Sequence, residues 1–330
     1  MQSADHEVED LGPQLLTVGR INLDLYVDTW GTEMADATGF RASVGGSPTN
    51  IAIVARRLGV SSALLSATGD DYAAGLLMKQ LSDFGVDTRW VYRLDEGATS
   101  LALLATLTAD LGQRQFYRHH PADAYLGEEV LDTLPWDSLR AIVISGDAMA
   151  AGTTPATIAT LTNRAAQRFV PVWWDLDLRP SSWPTSAAYA DAVAPALQGA
   201  TGVIGTVEEY ATLYQQDPLD RAAVEAALRR NGFPEAILKL GAQGALWINE
   251  HSDVEAAAAS TTPLCTVGGG DATAGAMIAG RLAGLSRGHA LELAMRVAAH
   301  TVEQPYCSTG FPSAADVGFT FPSSTNAVMR

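Results

Sequence analysis

The stretch Cys265-Thr266-Val267-Gly268-Gly269-Gly270-Asp271 places three glycines and an acid at the head of a small-residue run that continues to Leu285. Residues 272–282 carry no proline and no β-branched cluster, so they read as a helix. Backbone N–H groups at a helix start are unpaired and the helix dipole adds to their field, so Gly268, Gly269 and Gly270 can form an anion site. Asp271 can serve there in two ways. It can cap the helix, or it can take a proton from a hydroxyl while the amides hold a phosphoryl group that is gaining charge.

Other chemistry-bearing residues are spread along the chain. Asn22 and Asp24 are two apart, share one face of an extended segment, and follow the apolar strand 15–19. Open α/β sheets place ligand groups at such strand ends. Gly45-Gly46 leads into a helix over 51–58, with Asn50 before it, able either to bond a sugar hydroxyl or to cap. Arg118 closes Phe116-Tyr117-Arg118 and can pair with a carboxylate or stand exposed at a strand end. His119-His120 has no third ligand nearby to make a metal site.

The elements that must position these residues follow a regular rhythm. Strands are expected at 61–67, 141–145, 170–174, 202–204, 236–240 and 244–249, and helices at 72–84, 154–168, 186–197, 207–215 and 220–231. Continuous apolar strands between helices predict a mostly parallel sheet covered on both faces. Asp177 and Arg179, Thr206 and Glu209, and Lys239, Gly241 and Gly244 fall just past consecutive strand ends, on one edge of that sheet. Residues 25–44 and the hairpin 101–118 break the rhythm and predict a small, discontinuous β appendage drawn from about 25–44 and 95–120. Residues 1–12 and 313–330 read as tails around a single unit at 13–312.

The 330-residue chain suffices for one large α/β domain with a small appendage. Its 47% hydrophobic content fits a globular protein. A net charge of −16 with no Lys/Arg run argues against nucleic acid as a partner, and means that an anionic substrate must be held by local cations. Two cysteines make no disulfide framework and suit a reducing cytoplasm. No apolar run reaches membrane-spanning length. P-loop, Rossmann, nucleophile-elbow, H-E-x-x-H and C-x-x-C patterns are all absent.

With these pieces in place the chain resembles the ribokinase-like (PfkB) carbohydrate kinases. Thr266, Gly268, Gly270 and Asp271 match the family's D-T-x-G-A-G-D, Gly45, Gly46 and Asn50 match its N-terminal G-G turn, and Asn22 and Asp24 match its I-N-x-D. The resemblance spans about residues 14–312 and implies a three-layer α/β sandwich with a β lid.

The roles it implies are these. Asp271 is the base, and Gly268, Gly269 and Gly270 are the anion hole. Asn22, Asp24, Gly45, Gly46 and Asn50 hold the sugar. Asp177, Thr206, Lys239, Gly241 and Gly244 serve the nucleotide, and Glu209 places Mg²⁺ through water. ATP, Mg²⁺ and a monovalent cation are the implied ligands, and the lid is an implied homodimer contact. Three departures stand out: Cys265 for the first signature Asp, Thr206 for the Asn of N-x-x-E, and Thr273 for an aromatic.

Phe116-Tyr117-Arg118 and Asp177-x-Arg179-Pro180 look like the members acting on sugar acids, 5-dehydro-2-deoxygluconate first and 2-keto-3-deoxygluconate second. In these, Arg118 and Arg179 would clamp the carboxylate. A neutral ketose, a nucleoside, or a non-catalytic sugar-binding regulator stays open at this level.

Overall fold

The structure, a computed structural model, describes residues 12–320. The expected terminal tails lie largely outside them. The chain opens with β1 (Leu15–Val18), β2 (Asn22–Val27), β3 (Phe40–Gly45), α1 (Ser47–Arg57), β4 (Ser62–Gly69), α2 (Tyr72–Asp83) and β5 (Val91–Leu94). The hairpin β6 (Ser100–Thr106) and β7 (Gly112–Tyr117) follows. Then come β8 (Ala141–Ser145), α3 (Thr154–Gln167), β9 (Val172–Asp175), α4 (Ser186–Ala196), β10 (Gly202–Thr206), α5 (Val207–Tyr214), α6 (Arg221–Asn231) and β11 (Glu235–Lys239). The chain closes with β12 (Ala245–Asn249), β13 (Val254–Ala256), α7 (Gly269–Leu282), α8 (Arg287–Val302) and the short α9 (Cys307–Gly310).

The large sheet has nine strands in the order β13-β12-β11-β10-β9-β8-β1-β4-β5. β11 through β5 run parallel, whereas β12 pairs antiparallel with both β11 and β13. The expected strand at 244–249 therefore ends the parallel run instead of extending it. Its hairpin from β11 is too short for the helical crossover that a parallel neighbour requires.

Period-two alternation sends successive side chains to opposite faces. Leu15, Leu64, Val143 and Trp173 join one core with α1, α2, α7 and α8, while Leu16, Leu65, Ile144 and Trp174 join the other with α3 to α6. Three layers result, with helices on both sides of the sheet.

The small sheet has four strands in the order β3-β2-β6-β7. It gathers the two sequence segments that broke the α/β rhythm. Its register sorts the residues by face: Asp24 pairs with Ser43 and Ala102, and Ala102 with Phe116, so these share the face turned to the large sheet's strand ends. Leu23, Leu101 and Tyr117 share the other face.

Two N-terminal helix ends meet beneath this sheet because α1 and α7 pack closely. Gly275 permits the approach: a Cβ there would stand 2.8 Å from Val54 Cβ and 3.0 Å from the Ile51 carbonyl oxygen. Gly275→Val should therefore cost about 2 kcal/mol through overpacking, read as a lowered urea midpoint with an unchanged m-value. An unchanged midpoint would show that the helix pair tolerates the added volume.

Candidate active site

The C-terminal ends of the parallel strands deliver most of the polar residues to one place. Arg20 follows β1, Asp175 closes β9 with Asp177 and Arg179 beyond it, Thr206 closes β10 and Lys239 closes β11. Asn22 and Asp24 from β2 and Phe116 and Arg114 from β7 face them from the small sheet, and Gly268, Gly270 and Asp271 come from the head of α7. Together they line a cavity of about 250 Å³. Parallel strands aim their ends the same way, so one edge collects every such group.

Asp271 lies in the first turn of α7 and not at its cap. The cap position belongs to Gly268, at φ 84°. A side chain there would be strained and would also overlap Cys307 Sγ. The N–H groups of Gly270 and Asp271 have no intrahelical acceptor, which leaves them to an anion. Two residues of α1 hold the carboxylate: Ser47 Oγ lies 2.8 Å from Oδ1 and Asn50 Nδ2 donates to Oδ2 at 2.7 Å. The Gly45-Gly46 turn sets α1 in place. A Cβ on Gly45 would overlap the Asp24 carboxylate, and Gly46, at φ 105°, lies so near Arg20 that a Cβ would stand 2.5 Å from its carbonyl oxygen.

The site's charges are held in pairs. Asp177, at φ 38°, turns its carboxylate to Arg179 at 2.5 Å, Arg20 at 3.7 Å and Ser145 Oγ at 2.7 Å. Arg179 and Arg20 hold the Asp177 carboxyl below the usual carboxylate range despite its burial. Arg20 also reaches Asp147 at 3.1 Å. Lys239 Nζ donates to Asp175 Oδ1 at 2.9 Å and lies 3.8 Å from Glu209. Burial pushes the Asp175 carboxyl up against the pull of Lys239. Burial also raises Asp271, with help from Asp177 and against Arg179, Asn50 and Ser47. Asp24 is driven up to about 7 by burial, which outweighs Arg20.

The structure redistributes several expected roles. Arg118 is absent from the cavity wall. Its guanidinium is taken by Asp123 at 2.9 and 3.0 Å and by Ser100 Oγ at 2.7 Å, and it reaches Asn22 Oδ1 only at 3.4 Å. Asp123 captures it because the chain turns back just after β7. Gly241 and Gly244 shape the turn between β11 and β12, outside the cavity lining, and Gly45 and Gly269 pack behind it. Asp177 sits among arginines.

Thr206 and Glu209 form a capping box for α5, with Glu209 Oε2 accepting from Thr206 N at 2.7 Å and Thr206 Oγ1 accepting from Glu209 N at 3.2 Å. That reciprocal cap gives the Thr in place of Asn a physical role. Thr273 bonds the Gly269 carbonyl at 2.9 Å, and Cys265 is buried beside Thr106.

Sequence reasoning missed Arg20, Arg114, Ser47 and Asp175. Arg114 was detectable, because it stands two residues before Phe116 on a strand and so shares its face. Ser47 and Asp175 carried no local signal, since the contact between them spans 128 residues.

The donor set fits a phosphoryl group: free amides at the α7 start, with Lys239 Nζ 3.6 Å from where a Cβ of Gly270 would stand. Among the described residues no group of three or more His, Cys, Asp or Glu side chains could hold a metal ion directly. Glu209 keeps spare lone pairs after its two backbone bonds, enough to accept from a metal-bound water.

A family model described as pfkB family carbohydrate kinase matches residues 13–314. A 5-dehydro-2-deoxygluconokinase of Listeria monocytogenes is 28% identical over 305 residues, covering 92% of this chain and 94% of its own. A 5-dehydro-2-deoxygluconokinase 2 of Bacillus cereus is 27% identical over 315 residues, covering 94% and 95%. Among solved structures, a 2-dehydro-3-deoxygluconokinase of Thermotoga maritima superposes with a TM-score of 0.82 at 18% identity, covering 93% of this chain and 98% of that one. A fructokinase of Vibrio cholerae with bound fructose, ADP and calcium ion gives 0.81 at 20%, covering 92% and 98%.

The raised Asp24 carboxyl predicts a pH dependence of stability. Between the ordinary value of 3.8 and about 7 the folded chain keeps a proton that the unfolded chain has released, so this group's contribution falls as pH rises through that window. Asp24→Asn should therefore gain stability over the native chain by on the order of 2 kcal/mol between pH 5 and pH 8 in urea melts. A difference that does not change with pH would contradict the burial argument.

Proposed function

Because the chain belongs to the pfkB family of carbohydrate kinases, we propose that it transfers the γ-phosphoryl group of ATP to a hydroxyl of a sugar acid, 5-dehydro-2-deoxygluconate first among them. The observation that carries the acid is the arginine content of the cavity wall. Arg20, Arg114 and Arg179 line the cavity, and Arg114 forms no ion pair among the described residues. Guanidinium groups with unused donors offset the desolvation of a carboxylate. The two curated relatives act, by name, on that same acid. Arg179 and Arg114, rather than Arg118, would face the carboxylate, while Asn22, Asp24 and Asn50 would bond the hydroxyls.

Asp271 takes the proton of the attacked hydroxyl, and the free amides at the start of α7, those of Gly270 and Asp271, with Lys239 hold the phosphoryl group as its charge grows. Thr206 and, beyond the cavity lining, the turn at Gly241 and Gly244 would border the nucleotide, while Asp177 braces Arg179 and Arg20. Mg²⁺, held through water by Glu209 and by the phosphates, would neutralise charge on the β- and γ-phosphates. Toward a monovalent cation the chain offers Cys265, a soft and buried thiol, where the signature carries its first carboxylate. The small sheet would act as a lid that keeps water from the phosphoryl group. Its outer face leaves Phe40 46% and Tyr117 50% exposed, an apolar face that a second copy of the chain would cover.

The experiment is ATP consumption with Mg²⁺ and 5-dehydro-2-deoxygluconate. Turnover is expected, and Asp271→Asn should lower kcat by about 10³-fold while leaving KM within a few-fold. Absence of turnover with this acid, or a variant as fast as the native enzyme, would overturn the reading.

A further inference from the structure

Ser47 places one hydroxyl between two carboxylates, 2.8 Å from Asp271 Oδ1 and 3.1 Å from Asp175 Oδ2. A hydroxyl has one hydrogen and donates to one acceptor at a time. The second contact is a hydrogen bond only when that carboxyl carries a proton and donates to Oγ. The other oxygen of Asp175 meets Lys239 Nζ at 2.9 Å. A continuous chain thus runs from Lys239 on β11 through Asp175 on β9 and Ser47 on α1 to Asp271 on α7. Lys239 is 9% exposed, Asp175 1% and Ser47 2%, so water does not compete for these links.

Resting on the kinase reading above, we propose that this chain is a proton relay: the proton that Asp271 takes from the substrate hydroxyl passes through Ser47 Oγ to Asp175. The substrate O–H bond breaks and its electron pair forms the new O–P bond, while the bond from the γ-phosphorus to the bridging oxygen breaks and leaves its pair on ADP. Asp271 hands the proton from Oδ1 to Ser47 Oγ, and Ser47 gives its own hydrogen to Asp175 Oδ2. Asp271 and Ser47 end as they began, and Asp175 ends as the neutral acid.

The groups facing Asp175 explain why it can receive. Lys239 from β11 favours its anion, whereas burial and the carboxylates of Glu209 from α5, Asp177 from the following loop and Asp271 from α7 favour its proton. Lys239 also lies beside the anion hole, 3.6 Å from where a Cβ of Gly270 would stand. A phosphoryl group bound there competes with Asp175 for the ammonium. As Lys239 turns to the phosphoryl group, Asp175 loses its counter-charge and its proton affinity rises. When the nucleotide leaves and Lys239 returns, the proton passes to water. Nucleotide loading and proton acceptance are thereby coupled.

The test reads proton binding directly. A non-hydrolysable ATP analogue with Mg²⁺ is titrated at pH 7 in buffers of different ionisation enthalpy, for the native enzyme and Asp175→Asn. The native enzyme should take up only a fraction of a proton on binding, the molecules whose Asp175 stays anionic being those that receive the substrate proton, and the variant should take up less. Equal uptake by both would overturn the relay while leaving the kinase reading intact. Failure of the native enzyme to bind the analogue would overturn both. A second variant guards against misfolding: Ser47→Ala should lower kcat about 10²-fold at a KM within a few-fold of the native value, and added imidazole should restore part of it in proportion to concentration. A loss indifferent to imidazole would mark Ser47 as structural only and sink the relay.

Discussion

Desolvated carboxylates at the edge of the parallel sheet are the constraint on which this structure depends. Asp24, Asp147, Asp175 and Asp177 are all at most 7% exposed. A buried anion is costly unless a cation or several donors meet it. Arg20, Arg179 and Lys239 supply the cations, and Ser47 beside Asp175 and Ser145 beside Asp177 supply hydroxyls. Asp24 is the member least well served, with one oxygen buried and unpartnered, and its carboxyl is accordingly pushed toward neutrality.

The rest of the fold brings these groups together and keeps water away. Parallel strands point their C-terminal ends one way, so Arg20, Asp175, Thr206 and Lys239 arrive from separate strands at one edge. Close packing of α1 on α7 sets the start of one helix against the start of the other, and Ser47 and Asn50 grip the Asp271 carboxylate across that seam. The small sheet covers the edge with its Asp24 and Phe116 face, and the Phe116 ring lies 5.7 Å from the Arg20 guanidinium. Its hairpin also touches the glycine turn, since both the N–H and the hydroxyl of Thr266 donate to the Ala109 carbonyl at 3.1 Å.

Much of this was legible in the sequence. The strand–helix rhythm gave the sheet, and the two irregular segments gave the small one. Gly268 to Asp271 marked the head of a helix because local residue types decide it. What was not legible depended on contacts between distant segments. Arg118 read as a carboxylate clamp until Asp123 was seen to occupy it. Arg20 carried no signal, since it lies 127 residues from its partner Asp147. The helix α8 went unremarked although Ser286 caps its start, its side chain accepting from His289 N. The cap role of Thr206 gives one departure from the family pattern a physical reason.

The central claim is that the arginines lining the cavity of a family kinase scaffold here receive a substrate carboxylate. The most direct test compares kcat/KM for 5-dehydro-2-deoxygluconate with that for the matching sugar whose carboxylate is reduced to an alcohol, in the native enzyme and in Arg179→Ala. The account predicts a preference for the acid of about 10²-fold or more in the native enzyme that largely collapses in the variant, because an unpaired buried donor penalises the neutral sugar. An equal or greater rate with the neutral sugar, or a loss in Arg179→Ala that is the same for both, would contradict it.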